Sequence, residues 1–206
     1  MILRKALLGL LLLISAAAHA EQTTKVQAGD ARLATIQGRL FLSGVAYTGI
    51  IVSLHPSGNL KSQTAYQDGL RQGQKRTWYG NGDFGHASLF VAGRRQGTAL
   101  GWWPNGQLQY QRYYEGGLLS GEALEWNEAG VLQYRQHFVD GREEGLQQGW
   151  HDDGEVAFNY VFKDGRRYGV LGSKPCFNAN PESVTVFNAD IAVTQVVALG
   201  RGVENE

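Results

Sequence analysis

Apolar and polar residues alternate along much of this chain, as the segment 108–114 illustrates. If that segment is extended, Leu108, Tyr110 and Tyr114 fall on one face, while Tyr113 and the intervening glutamines fall on the other. A period of two is typical of a strand that is buried on one side. The pattern therefore predicts a chain built from β-strands.

The alternation is organised by glycine and aromatic residues that recur every 24 residues. A fixed period of this length is typical of a repeat architecture in which each unit packs on its neighbours. We predict five tandem units over residues 49–169. One glycine series and one aromatic column define them: Gly49, Gly73, Gly97, Gly121, Gly145 and Gly169, and Trp78, Trp102, Trp126 and Trp150.

Each unit contains two connections with turn-forming dipeptides. Asn81-Gly82, Asn105-Gly106 and Asp153-Gly154 occupy the first connection, and Asp140-Gly141 and Asp164-Gly165 occupy the second. Such pairs accept positive φ at both turn positions. Each unit is therefore predicted to be a β-hairpin with one tight turn and one slightly longer loop. Five units predict an all-β, open antiparallel meander of about ten strands.

The N-terminal segment, residues 1–20, has the features of a secretory signal. Arg4 and Lys5 precede the apolar run 6–14, and Ala18-His19-Ala20 provides small residues at a cleavage site. The apolar run is too short for an ordinary membrane span. We therefore expect cleavage, a periplasmic or secreted protein, and no transmembrane span in the mature chain.

The segments that flank the repeats are predicted to protect the array. Residues 21–48 are expected to be a lead-in that contains a strand at residues 39–42 and a degenerate half-repeat. In the first unit, Leu54 replaces the tryptophan and Ser57-Gly58 replaces Asn-Gly, as a terminal repeat allows. Residues 170–206 lose the pattern. Because an open sheet leaves edges unpaired, we expect this segment to cap the last edge or to cover one face.

Composition narrows the functional classes. The chain is 43% hydrophobic and 18% charged, with no net charge, which indicates a globular protein and disfavours a nucleic-acid partner. Arginines nevertheless cluster near the predicted second connections. Acidic residues lie among them, so a mixed solvated rim is favoured over contact with anionic lipid or an acidic protein. These arginines are Arg71, Arg94, Arg95, Arg142, Arg166 and Arg167.

The sequence contains no recognisable catalytic, cofactor or metal motif. It lacks a nucleophile elbow and a phosphate-binding loop, and its histidines lack the spacing of metal ligands. His55 and His151 share a repeat column but would lie many strands apart. Asp152 and Asp153 are expected to serve turn formation and solubility. We therefore expect a protein that is not an enzyme and that uses no cofactor or metal.

The repeat resembles that of a known family. Gly-x4-Trp-x3-Gly-x-Leu, followed by an aromatic residue and Asp-Gly-x3-Gly, is similar to the bacterial MORN repeat variant of the YwqK type. Trp102 to Leu108 and Phe138 to Gly145 carry the resemblance best. It implies a stack of β-hairpins that serves as a binding or scaffold module. It also implies an immunity or antitoxin-type component as one form of that role.

Three aromatic residues and one cysteine are the candidate interaction sites. Tyr79, Trp103 and Tyr113 are expected on the face opposite the main aromatic column, where they either pack or form an exposed patch for a partner. Cys176, the only cysteine, is either buried or paired with another molecule. We predict an exported scaffold for protein–protein interaction. The alternative is an envelope-associated structural module that contacts lipid or cell-wall polymer.

Overall fold

The structure, a computed structural model, describes residues 24–171, which form fifteen β-strands and no helix. The predicted signal segment, Cys176 and almost all of the predicted C-terminal cap lie outside the described residues. The strands are β1 Lys25–Gln27, β2 Leu33–Ile36, β3 Arg39–Leu42, β4 Val45–Ala46, β5 Gly49–Leu54, β6 Leu60–Gln67, β7 Leu70–Trp78, β8 Phe84–Val91, β9 Arg94–Trp102, β10 Leu108–Glu115, β11 Leu118–Trp126, β12 Leu132–Val139, β13 Arg142–Trp150, β14 Val156–Lys163 and β15 Arg166–Leu171.

The strands form an open meander. β5 to β15 pair antiparallel in chain order, and β1 adds in parallel to β5 at one edge, which completes a 12-stranded sheet. β2, β3 and β4 form a separate three-stranded sheet. The predicted all-β meander of hairpin repeats is confirmed. Every repeat contacts its sequence neighbours, so the architecture is assembled from local hairpins.

The tight turns of the repeats contain two residues. Asp140 and Gly141 connect β12 to β13 with φ values of 48° and 77°. Positive φ at both positions defines the turn whose twist matches that of the flanking strands. The corresponding pairs in the other repeats also have positive φ throughout. The prediction for Asp140-Gly141 and Asp164-Gly165 is therefore confirmed.

The first connection, predicted to be the tight turn, is instead a five-residue loop, so the predicted lengths of the two connections are exchanged. Its predicted backbone geometry is also wrong. In Asn81-Gly82, Asn105-Gly106 and Asp153-Gly154 only the glycine has positive φ. The side chain before each glycine instead accepts a hydrogen bond from a backbone N–H two residues onward, at 2.9–3.0 Å. These Asn and Asp residues stabilise the loop through side-chain oxygens, so they do not need the left-handed backbone conformation.

The pairing of neighbouring strands shifts register at equivalent positions along the array. The pairing of β8 with β9 shifts between Ala87 and Leu89, and that of β9 with β10 shifts near Trp102 and Leu108. Equivalent shifts occur in the other repeats. A bulge bends its strand and increases the local twist. Curvature of the sheet is therefore built into every repeat.

Buried side chains lie on both faces of the central strands. Leu100 is fully buried and pairs with Ala87, which places both on one face. Ala99 and Ala123 are buried on the opposite face, where both lie beside Arg112. The core is thus thin and two-sided, and small side chains fill it where the sheet bends.

The predicted separation of faces in β10 is also observed. Tyr114 is 7% exposed, whereas its neighbour Tyr113 is 43% exposed. Their rings lie on opposite faces because successive side chains of a strand alternate.

The N-terminal lead-in is attached to the tight-turn end of the array. The strand predicted at residues 39–42 is confirmed as β3. Leu40 N donates to Gly69 O at 2.8 Å, and Gly69 N donates to Tyr47 O at 2.8 Å. Tyr47 also donates its hydroxyl hydrogen to Thr24 O at 2.7 Å. The lead-in is therefore tied both to the first tight turn and to the segment before β1.

The tight turns are joined to one another by the main chain. Gly93 N donates to Arg71 O, Gly117 N to Arg95 O, and Gly141 N to Leu119 O, at 2.8–2.9 Å. The bond from Gly69 to Tyr47 has the same spacing of 22 residues. Tyr47 of the lead-in therefore extends this series of main-chain bonds by one member.

Candidate binding site

At the opposite end of the hairpins, the five-residue loops are joined by side chains. His55 Nε2 lies 2.8 Å from Trp78 O, Tyr79 Oη donates to Trp102 O at 2.7 Å, and Trp103 Nε1 donates to Trp126 O at 2.9 Å. Each of these side chains follows its own repeat's strand directly and reaches the carbonyl group of the next repeat. We call this series the side-chain ladder.

The side-chain ladder breaks at the next position. Asn127 occupies the same column, but its Nδ2 donates to Asp152 Oδ1 at 2.8 Å and not to a backbone carbonyl group. An asparagine side chain is much shorter than a tyrosine or tryptophan side chain. The short Asn127 side chain therefore leaves space among the third, fourth and fifth loops, with Trp103 at one side and Asp152 at the other.

A cavity of about 540 Å³ occupies this space. Ligand sites are commonly concave and combine aromatic surface with a few placed polar groups. The cavity is consequently the best candidate for a binding site in the described part of the chain. Its lining includes three aromatic side chains and three carboxylates: Trp103, Trp126 and Tyr134, and Glu125, Glu128 and Asp152.

The walls of the cavity are held in place by hydrogen bonds and by ring packing. The indole N–H of Trp103 is bonded to Trp126 O, which fixes the ring next to the fourth loop. Tyr134 stacks on Phe158 of the following repeat, with ring centroids 6.1 Å apart. Gln133 Nε2 donates to Asp152 Oδ1. Residues of three different repeats therefore set the shape of the site.

One carboxylate of the lining is already paired. Glu125 forms an ion pair with Arg112 at 2.5 Å across β10 and β11. Burial disfavours the charged Arg112, but the hydrogen bond that Arg112 donates to Glu125, the negative charge of Glu125 and the influence of Tyr114 together outweigh it, so the pKa of Arg112 lies above its usual value. No lysine or arginine lines the cavity among the described residues. The site is therefore aromatic and net acidic.

The three predicted aromatic candidates lie in different places. Trp103 lines the cavity. Tyr79 is half-buried in the side-chain ladder one repeat earlier. Tyr113 is exposed near the tight-turn end of β10. The structure thus does not bring the three together into one patch.

Asp152 has a role that sequence reasoning missed. Asp153 Oδ1 accepts a hydrogen bond from Glu155 N, which agrees with its expected turn function. Asp152 instead accepts from Asn127 and Gln133 and lines the cavity. The available signal was Asn127, because this short residue interrupts a column that otherwise carries histidine or a large aromatic residue in the first three repeats.

A second polar cluster lies on the face of β8 and was not recognised from the sequence. His86 Nδ1 lies 2.5 Å from Tyr110 Oη, and His86 Nε2 lies 3.0 Å from Ser88 Oγ. Burial, followed by the charges of Lys75 and Arg95, lowers the pKa of His86 to about 4. Because Ser88 is only 4% exposed, the cluster is a packed hydrogen-bond chain.

The histidine and arginine candidates lie outside the cavity lining. His55 belongs to the side-chain ladder, and His151 lies in the last five-residue loop. Within residues 24–171, no three His, Cys, Asp or Glu side chains form a group that could hold a metal ion. The predicted rim arginines lie at or beside the tight turns, among them Arg71 and Arg95, whose guanidinium groups lie 5.2 and 5.1 Å from the ring centres of Phe90 and Tyr114.

Comparison with known families agrees with this architecture. Residues 95–115, which include most of β9, the loop of Trp103 and β10, match the MORN repeat variant family. The structure repeats the same hairpin unit along the sheet, which supports a MORN-repeat protein. No curated protein matches the chain. Residues 24–171 include no helix that is long and apolar enough to cross a membrane.

Proposed function

We propose that the chain is an exported repeat scaffold that binds another protein through the cavity at its loop end. The observation that carries the proposal is the break in the side-chain ladder at Asn127, which opens an aromatic cavity within a regular array. Tryptophan and tyrosine are enriched among the residues that dominate binding energy at protein interfaces. Trp103, Trp126 and Tyr134 supply such anchors at this site.

A YwqK-type immunity or antitoxin-type component is the more specific form of this proposal. Such a component acts by occupying a surface of its partner, so it needs shape complementarity rather than a reactive group. A rigid sheet with a preformed cavity suits that task, because little conformational entropy is lost on binding.

The proposal is tested by filling the cavity. Ala129 lines the cavity and is exposed, so Ala129→Trp places a large ring there without removing a side-chain hydrogen bond. Ser57→Trp is the matched control, since Ser57 occupies the same loop position in the first repeat. Each purified mature chain is used to capture proteins from an envelope extract, which are identified by mass spectrometry.

We expect the wild type and Ser57→Trp to enrich the same protein and Ala129→Trp to lose it. Absence of any enriched protein with the wild type would refute the proposed function. Tyr113→Ala is included because Tyr113 lies on a different surface. Loss of capture in that variant alone would move the interface away from the cavity.

The second candidate is an envelope-associated structural module. It is favoured by the exposed arginines at the tight turns, where Arg167 lies 5.0 Å from the ring centre of Tyr160. Cations at a surface attract anionic lipid or wall polymer in a manner that salt weakens. Salt-sensitive sedimentation with anionic vesicles or isolated sacculi, unchanged by Ala129→Trp, would support this candidate over the first.

A further inference from the structure

We propose that the cavity beside Trp103 binds a lysine or arginine side chain from a basic segment of the partner protein. This inference rests on the proposed function, because it names the chemistry of the partner at the same site. Three properties of the lining carry it: its unneutralised charge, its surplus of hydrogen-bond acceptors and its aromatic surface.

The charge of the lining is negative. Glu125, Glu128 and Asp152 contribute carboxylates, and no lysine or arginine among the described residues lines the cavity. Arg112 pairs with Glu125, which leaves Glu128 and Asp152 without a cationic partner among the described ion pairs. An anionic ligand would be repelled here, whereas a cation would gain favourable interactions with both groups.

The lining is rich in hydrogen-bond acceptors, and several of its donors are already used. Trp103 Nε1 is bonded to a backbone carbonyl group, and Asn127 Nδ2 and Gln133 Nε2 both donate to Asp152 Oδ1. The carboxylate of Glu128 and the second oxygen of Asp152 can only accept. A ligand rich in donors suits these acceptors, and ammonium and guanidinium groups carry donors without acceptors.

This distribution disfavours a neutral sugar, which is the other ligand commonly bound against tryptophan. Sugar hydroxyl groups both donate and accept, so a matching site needs free donors as well as acceptors. Two of the lining amides, those of Asn127 and Gln133, each direct one N–H at Asp152, and a neutral hydroxyl group cannot pair with the charges of Glu128 and Asp152.

The same recognition already occurs within the molecule, beside the cavity. The guanidinium group of Arg112 lies 4.5 Å from the ring centre of Tyr110 and pairs with Glu125. An aromatic ring and a carboxylate thus bind an arginine in the repeat before that of Tyr134. The cavity offers the equivalent combination to an external cation, and tryptophan is the best ring for such a contact.

The test uses two matched small probes, N-acetyl-arginine amide and its neutral isostere N-acetyl-citrulline amide. Binding to the mature chain is followed by chemical-shift changes of the tryptophan indole N–H groups. The proposal predicts saturable binding of the arginine probe and binding of the citrulline probe that is weaker by about tenfold, because the charge is removed while the shape is kept.

Two conservative variants locate the binding. Glu128→Gln and Asp152→Asn remove charge but keep a side-chain oxygen that can accept the existing hydrogen bonds. The two substitutions together should weaken the binding of the arginine probe about fivefold to tenfold. Glu115→Gln is the control, because it makes the same change at an exposed position beside a tight turn.

Several outcomes would overturn the inference. Equal binding of the citrulline probe would exclude cation recognition, and equal loss in Glu115→Gln would exclude this site. Binding of a neutral oligosaccharide probe in place of arginine would assign the cavity to a sugar. Self-association of the chain that the double variant abolishes would identify a second copy as the occupant. The proposed function would survive any of these results if Ala129→Trp still abolished protein capture.

Discussion

Consecutive repeats are joined by different kinds of hydrogen bond at the two ends of the hairpins. At the tight turns, consecutive repeats are joined by main-chain bonds such as that from Gly117 N to Arg95 O, beside which a second turn N–H donates to a side chain such as that of Gln96. At the five-residue loops, they are joined by side chains such as those of Tyr79 and Trp103. Main-chain bonds are largely independent of side-chain identity, whereas a side-chain bond depends on the length and chemistry of one residue.

This difference explains why the cavity lies at the loop end. Asn127 stands where other repeats have a longer side chain, and it breaks the side-chain ladder there. The fold is maintained by the strand pairing and by the main-chain bonds at the other end. The tight-turn end has no comparable freedom, because both turn residues have positive φ. The loop end can therefore diverge for binding while the tight-turn end maintains the spacing of the repeats.

The largest effect on stability is expected when a glycine is replaced by alanine, and its size should differ between the two ends of the hairpins. A Cβ at Gly69 would lie 2.8 Å from Leu40 O, whereas a Cβ at Gly58 would meet nothing within 4 Å; the φ values are 77° and 88°. Gly58→Ala should cost about 1 kcal/mol in the free energy of unfolding, from backbone strain alone. Gly69→Ala should cost about 3 kcal/mol, because it also separates the lead-in from the first turn.

Urea denaturation of the two alanine variants measures this contrast. Similar losses for Gly58→Ala and Gly69→Ala would show that the lead-in contributes no constraint at the tight-turn end.

The next effect is a pH dependence that arises from the burial of His86 and, after that, from the cationic groups that extend from the tight-turn end into the sheet. His86 faces Lys75, Arg95 and Arg112, and its pKa is about 4 against an ordinary value of 6.5. Between these values the unfolded chain binds a proton that the folded chain does not. Stability should therefore fall as the pH decreases from about 6.5 to about 4, by about 2 kcal/mol after allowance for partial exposure.

The pH effect is isolated by comparing urea midpoints of the wild type and His86→Gln at pH 7.5 and pH 4.5. The variant lacks the titrating ring, so its loss between the two pH values should be smaller than that of the wild type. An identical loss would mean that other groups account for the pH dependence.

A smaller effect tests the side-chain ladder directly. Tyr79→Phe removes only the hydroxyl group that donates to Trp102 O, and it should lower the free energy of unfolding by about 1 kcal/mol. Tyr113→Phe is the control, since Tyr113 is exposed and has no side-chain hydrogen bond among the described residues. No difference between the two variants in thermal unfolding would argue against a stabilising role for the ladder.

The smallest effect is expected at the exposed arginines beside the tight turns. Arg94 is exposed at the start of β9, so Arg94→Ala should change the free energy of unfolding by less than about 0.5 kcal/mol. Vesicle sedimentation of the same variant then reports on surface contact without interference from unfolding. A large loss of stability would mean that this end depends on side chains as much as the loop end does.

Much of the architecture was predictable because its signals are local and periodic. The 24-residue spacing of Gly97, Trp102 and their equivalents reports hairpins that contact only their neighbours. Asp140-Gly141 predicted its turn because few other residues accept that backbone. Asn105 was assigned the wrong conformation, since its side chain can stabilise a loop in more than one way.

The candidate site could not be derived in the same manner. The sequence around the polar residues Glu128, Gln133 and Asp152 contains no motif. Their place in the cavity lining depends on contacts and hydrogen bonds between repeats. Trp103 was identified as a candidate for a partner, but its role in bonding Trp126 O was not. These relations arise between loops, where the period predicts proximity but not contact.

The sequence alone therefore determined the repeat, its strands and its tight turns, because backbone conformation and period-two burial are set by residue type and spacing. Only the tertiary structure decided which side chains bridge the repeats, where the side-chain ladder breaks and which carboxylates face the resulting cavity. The physical reason is reach: a side-chain bond between repeats depends on distances of a few tenths of an ångström, which spacing along the chain does not specify.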